Sequence, residues 1–124
     1  MNAKQIVPTE LNYHKKSRVL DIAFGDDQRC QLTAEFLRVH SPSAEVRGHG
    51  PGQEVLQIGK ESVGIDRIEQ IGNYAVRFYF DDGHSTGLYS WEELHRFYLH
   101  NEELWADYLT RLEAAGHRRK SDIS

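Results

Sequence analysis

The stretch from Asn73 to Trp91, NYAVRFYFDDGHSTGLYSW, constrains the fold of this chain more than any other. Tyr74 to Phe80 alternates apolar and polar positions with aromatic and β-branched side chains, the pattern of a half-buried strand. Asp82-Gly83 suits a two-residue hairpin turn, because both turn positions need φ angles that Asp and Gly tolerate. With that turn, Asp81 pairs with His84 and Phe78 lies opposite Gly87. Val76, Phe78 and Phe80 then line one face. Arg77 and Tyr79 line the other, with His84, Thr86 and Leu88 across from them. Ser90-Trp91-Glu92-Glu93 follows as a capping box, so a helix starts directly after the second strand.

The first half of the chain repeats the hairpin logic. Strand-like sequence begins near Thr9, and Leu20, Ile22 and Phe24 share a face by period-two alternation. Gly25-Asp26-Asp27 turns the chain, and Gln28 to Leu32 returns with Cys30 and Leu32 pointing inward. Thr33 is placed to cap a short helix from Ala34 to His40. The Gly-, Pro- and Ser-rich run from Ser41 to Gln53 reads as a long loop, a kind of segment that often carries function. Residues 54–72 carry apolar positions interrupted by Gly59, Gly64 and Gly72, which favours short strands. After the Ser90 cap come Leu94, Phe97 and Tyr98 at helical spacing. Asn101 then opens a second helix with the stripe Leu104, Trp105, Tyr108, Leu109 and Leu112, which Gly116 ends.

These elements give an α+β fold, an antiparallel sheet of hairpins in two layers with helices grouped at the C-terminal end. The expected organisation is a flexible arm (1–8), one domain (9–116) and a flexible, basic tail (117–124). A chain of 124 residues builds a core without staples. Its net charge of -4 argues against general nucleic-acid binding, and no apolar run is long enough to cross a membrane. The single cysteine, Cys30, excludes an internal disulfide and reads as a small buried residue. The expected location is the cytoplasm.

Three segments, LRVHSPSAEV (37–46), GHGPGQ (48–53) and the stretch from Asn73 to Trp91, together resemble the gamma-butyrobetaine-hydroxylase-like N-terminal domain family. The resemblance covers roughly residues 10 to 112 and looks like that of a stand-alone bacterial member. Relatives of this kind precede an iron- and 2-oxoglutarate-dependent catalytic domain, are fused to P-loop ATPases with iron–sulfur clusters, or stand alone. The resemblance therefore implies an accessory role, with a protein partner in iron–sulfur or redox-enzyme machinery. In the hydroxylases the domain carries a structural zinc site of three cysteines and one histidine. Here the histidine is matched by His84 and the cysteines by Ser41, Ser43 and Val46. Serine and valine supply no thiolate, so the three-cysteine zinc site is not retained. With no catalytic domain in the chain, hydroxylase activity is not implied.

The residues themselves leave three function classes open. For a metal-binding protein, His84, His49, His40 and Asp82 are candidate ligands of one divalent ion, iron or zinc, provided the long loop folds over the turn. For a protein-interaction domain, Arg38, Arg47, His49 and Trp91 are candidate contact residues, within a locally basic segment 38–53. An enzyme acting on a small molecule is the third class. It has least support, because Asp26-Asp27 and Asp81-Asp82 sit in turns, and Ser41 and Ser43 lack a nucleophile elbow. Gly48 to Gly52 lacks the Gly-Lys-Ser/Thr of a phosphate loop. The non-catalytic accessory role is the expectation.

Overall fold

The structure, a computed structural model, describes residues 6–48, 50 and 52–119. The expected arm lies largely outside these residues, as do His49 and the last residues of the tail. The chain folds as α+β, with two three-stranded antiparallel sheets and a long C-terminal helix. The first sheet runs β1 (Glu10–His14), β2 (Val19–Ala23) and β3 (Arg29–Thr33) in that order. Its register pairs Leu20 with Leu32 and Ile22 with Cys30, placing all four on one face by strand alternation. Leu20, Ile22 and Leu32 are buried, and Cys30 packs against them. Burial pushes the Cys30 thiol up to about 11, aided by the Asp21 charge, so it stays protonated and inert at neutral pH.

Thr33 caps α1 (Ala34–Val39) as expected, its hydroxyl accepting from Phe36 N at 3.0 Å. The segment expected to be a structureless loop contains one short helix, α2 (Ala44–Arg47). It ends at Gly48, whose φ of 72° and contact with Gln53 backbone leave no room for a Cβ. Residues 53–58 belong to no helix or strand.

The second sheet runs β4 (Ile65–Ile71), β5 (Ala75–Phe80) and β6 (Leu88–Ser90). Val76, Phe78 and Phe80 are all buried, the face expected from alternation. Val76 pairs with Tyr89 and Arg77 with Leu88. The ladder stops at Leu88, however, and Phe80 N donates instead to His84 O at 3.0 Å. Residues 81–87 therefore leave the sheet, and this frees His84 to turn toward α2. Tyr13 ties the sheets together, its hydroxyl accepting from Ile65 N at 3.0 Å.

The helix α3 (Trp91–Ala114) begins at the expected Ser90 cap, whose hydroxyl accepts from Glu93 N at 3.0 Å. The two helices expected here join across a kink at His100 (φ -129°, ψ 19°). Gly116 ends the run with φ 80°, and His117 N donates to Leu112 O while Gly116 N donates to Glu113 O, a Schellman closure. Arg119 folds back onto α1 and donates to Glu35 at 2.8 and 2.6 Å. One core cluster spans both sheets, α1 and α3, with Tyr89, Phe78, Phe36 and Phe97 at its centre.

Candidate functional site

The loop after β5 and the segment between α1 and α2 meet at His84. Its Nε2 lies 2.9 Å from Ser41 Oγ and 3.4 Å from Ser43 Oγ, and its Nδ1 lies 3.2 Å from Glu45 Oε1. Glu45 Oε1 also accepts from the Thr86 hydroxyl at 2.7 Å. A carboxylate beside Nδ1 assigns the ring proton to that nitrogen, which leaves Nε2 to accept from the Ser41 hydroxyl. Burial lowers the His84 pKa and the Arg38 charge adds to this, outweighing Glu45 and Asp82. The ring is neutral at pH 7, and the whole set is bonded without a net buried charge.

Serine, imidazole and carboxylate stand here in the order that activates a nucleophile. The surroundings rule out that use in this conformation. Ser41 is completely buried, and Gly87 backs onto it so closely that an added Cβ would overlap Ser41 Oγ. A substrate carbonyl has no path to that oxygen. The arrangement is a hydrogen-bonded clasp between the α1–α2 connection and the β5–β6 loop.

Beside the clasp lies an ion cluster in which Arg38 is buried while Asp82 and Lys60 reach solvent. Arg38 Nε and Lys60 Nζ each donate to Asp82 Oδ2 at 2.9 Å, and Arg38 Nη1 donates to Gln57 Oε1 at 2.9 Å. Asp82 Oδ1 accepts from His84 N at 3.1 Å, so the Asp–Gly turn is built into the cluster. Burial raises the Asp82 pKa, but Lys60, the His84 N–H and Arg38 overcome it and hold the carboxyl at about 2. A cavity of about 420 Å³ opens here, lined by Arg38, Glu45, Gln57, Asp82, His84 and Thr86.

Of the four candidate metal ligands, His84 and Asp82 are brought together, but their polar atoms are engaged as described. His40 points elsewhere. Its Nδ1 lies 2.9 Å from Phe36 O, its ring stacks 4.3 Å from Phe36, and burial lowers its pKa. His49 lies outside the described residues. Among the described residues no group of three or more His, Cys, Asp or Glu side chains is arranged to hold a metal.

The candidate partner contacts also divide. Arg38 is only 7% exposed and Trp91 6%, with Trp91 Nε1 donating to Asn73 O at 2.6 Å. A buried guanidinium needs a carboxylate, and a buried indole N–H an acceptor, so both side chains face inward and are unsuited to touch a partner. Arg47 does reach solvent. It bonds Glu93, whose pKa is lowered by Arg47 and Arg96 against the effect of burial, and it donates to His40 O at 3.3 Å. It borders a groove of about 390 Å³ between residues 54–57 and α3, floored by Val39, Leu56, Leu104 and Tyr108 and rimmed by Arg96 and Arg111. Tyr108 OH donates to Gln57 O at 2.7 Å and holds that segment against the helix. Burial pushes the Tyr108 hydroxyl up to about 12, keeping that donor protonated.

Sequence reasoning missed Glu45, Thr86, Lys60, Gln57, Arg96 and Arg111. Only Thr86 had a signal, since alternation placed it on the face of His84.

Comparisons agree with this architecture. The family model for the gamma-butyrobetaine hydroxylase-like N-terminal domain matches residues 11–95. Two solved solution structures are each 46% identical to the chain. The first covers 98% of it and 95% of its own length at a TM-score of 0.83, the second 96% and 90% at 0.78. A crystal structure of a DUF971-family protein of unknown function from Acidithiobacillus ferrooxidans is 35% identical, with a TM-score of 0.61 over 73% of this chain and 91% of its own. No curated protein matches.

Proposed function

The chain belongs to the gamma-butyrobetaine hydroxylase-like N-terminal domain family, and within it we propose a non-catalytic role as a protein-interaction domain. The observation that carries this reading is the groove beside residues 54–57. Its wall is a segment outside every helix and both sheets, with Val55 and Ile58 exposed by 53% and 45%. Among the described residues the backbone of 54–57 is held to the rest of the chain by two hydrogen bonds, Val55 N donating to Val46 O at 2.7 Å and Gln57 O accepting from Tyr108 OH at 2.7 Å. Apolar side chains facing water on a segment outside the sheets suit a peptide laid alongside. Arg47, Arg96 and Arg111 each expose about two-fifths of their side chains at the rim, where they pair with Glu93 and Asp107, so a matching peptide carries an apolar residue flanked by carboxylates that share these ion pairs. A partner from iron–sulfur or metalloenzyme machinery is the reading drawn from the settings of relatives.

A photo-crosslinking residue at Val55 tests this in cells. The expected result is one defined partner, whose capture is lost when Arg111→Glu or Leu56→Asp is added to a chain that still folds. Capture unchanged by both substitutions overturns the reading.

A further inference from the structure

The longest strand of the second sheet, β4, lies at its edge, and among the described residues no strand pairs with its outer side. None of its residues lines the groove described above. We infer that this edge joins two copies of the chain into a two-fold dimer. In it β4 lies antiparallel against β4, with Ile68 opposite Ile68 of the second copy.

The backbone decides which residues can pair across the edge. On the β5 side, Asp81 N donates to Gly64 O, toward β4, whereas Tyr74 O accepts from Trp91 N and Phe80 N donates to His84 O, away from it. By alternation Ala75, Arg77 and Tyr79 bond toward β4 and take up the backbone groups of their partners Ile71, Glu69 and Arg67. The N–H and C=O groups of Ile68 and Gln70 are left facing outward. Among the described residues no backbone hydrogen bond reaches them. Ile65 N donates to the Tyr13 hydroxyl, and a bulge follows before Arg67, so the open edge begins after Ile65.

The side chains then select the register. Ile68 against Ile68 places Arg67 opposite Glu69 and Glu69 opposite Arg67. These positions lack direct backbone bonds, so their side chains stand closest across the strands. A slip that sets Ile68 against Gln70 puts Glu69 directly against Glu69, and like charges repel there. Both charged groups are already positioned. The Arg67 guanidinium lies 4.9 Å from the centre of the Tyr79 ring, and Glu69 Oε1 accepts from the Tyr79 hydroxyl at 2.7 Å. Their contact within one chain is long, 3.5 Å, and leaves both able to take a second partner. On the opposite face Ile68, half-buried against the core, covers its counterpart and removes apolar surface from water. The strand has neither the proline nor the lysine that commonly blunts an edge.

Sedimentation velocity from about 20 µM to about 1 mM tests the association, because an interface of one short ladder is small and weak. The wild-type chain is expected to pass from monomer to dimer over that range. Arg67→Glu and Glu69→Arg each set like charges against one another twice, and each is expected to weaken the dimer at least tenfold. Mixed in equal amounts, the two single variants face each other with opposite charges at both positions, and dimerisation is expected to return. In the wild type itself, hydrogen exchange at the Ile68 amide is expected to slow at least threefold as concentration rises. The Arg67 and Glu69 amides, bonded to β5, keep their rates. That measurement needs no substitution, so it decides the matter even if a variant unfolds. A wild-type chain that stays monomeric, single variants that dimerise as well as the wild type, a mixture that does not recover, or an Ile68 amide indifferent to concentration overturns the proposal.

Discussion

Gly87→Ala is the sharpest perturbation of the clasp that joins α2 to the β5–β6 loop. The constraint at Gly87 is space, since its φ is not in the left-handed region. A Cβ there would overlap Ser41 Oγ, and would stand 3.1 Å from Pro42 Cδ and 3.4 Å from Ser43 N. Ser41 is fully buried and bonded to His84, so it cannot swing aside without giving up that bond. Overpacking of this kind costs about 1–3 kcal/mol, and the lost Ser41–His84 hydrogen bond about 1 kcal/mol more. The expected total is about 3 kcal/mol. At about 2.1 cal/mol/K of unfolding entropy per residue, a chain of 124 residues loses about 4 °C of Tm for each kcal/mol, so Tm falls by about 12 °C.

The mechanism is tested by a double-mutant cycle in thermal and urea unfolding. Ser41→Ala alone removes the hydroxyl and costs about 1 kcal/mol. In the double variant the closest remaining atoms are Pro42 Cδ at 3.1 Å, which must give by a few tenths of an ångström, and Ser43 N at 3.4 Å, so most of the Gly87→Ala cost disappears. The expected coupling is about 2 kcal/mol in the rescuing direction. Costs that add within about 0.5 kcal/mol, as they do for independent sites, would refute the reasoning.

Four further outcomes follow from the same region. Ser41→Cys, Ser43→Cys and Val46→Cys together place three thiols around His84, and the triple variant is expected to bind about one equivalent of zinc that His84→Ala removes; a metal-free triple variant sinks the spatial match. His40 and His84 both have pKa values lowered below 6.5 in the folded chain, chiefly by burial, so protonation favours the unfolded state. Their stabilisation is complete above that value and declines as pH drops through it, and a Tm that is flat between about pH 7.5 and 5.5 contradicts this. Asp82, held at about 2 against 3.8 unfolded, contributes stability that is present above 3.8 and lost as pH falls toward 2; Asp82→Asn is expected to flatten that limb, and an unchanged acid transition argues against it. Tyr108→Phe removes the donor to Gln57 O, costing about 1 kcal/mol and speeding proteolysis within residues 52–60; cleavage at the wild-type rate would show that the segment is held otherwise.

What could be read from the sequence is what depends on short range. Period-two alternation identified the buried faces of β2 and β5, because a one-residue slip would have turned Leu20 and Phe78 to solvent. Thr33 and Ser90 announced their helices because a cap bonds only two or three residues away. The short strands expected within residues 54–72 formed only in part. The one ending at Ile71 became β4, while residues 53–58 stayed unpaired although Val55, Leu56 and Ile58 had the composition of a strand. Propensity marks a residue as suited to a sheet, but pairing requires an open edge beside it. Here Tyr108 and Val46 take hold of the segment first.

The clasp was legible only in fragments, for the same reason. His84 and Thr86 share a face of the expected hairpin, yet their partners Ser41 and Glu45 lie about forty residues earlier, and nothing in local spacing joins them. Arg38 shows the cost of reading charge without burial. It looked like a surface contact because it stood in a basic segment, but Asp82 was placed by a turn on another element to neutralise it. A charged residue in a loop-rich region is thus ambiguous until its counter-ion is located, and the Asp82-Gly83 turn does two jobs at once. Gly83 supplies the positive φ of 92° that closes the turn, and Asp82 carries the charge that lets Arg38 be buried. The turn that organised the reading of the sequence is therefore also the point at which the ion cluster and the clasp meet. This is why residues 81–87 leave the sheet and do not complete the hairpin that their sequence favours.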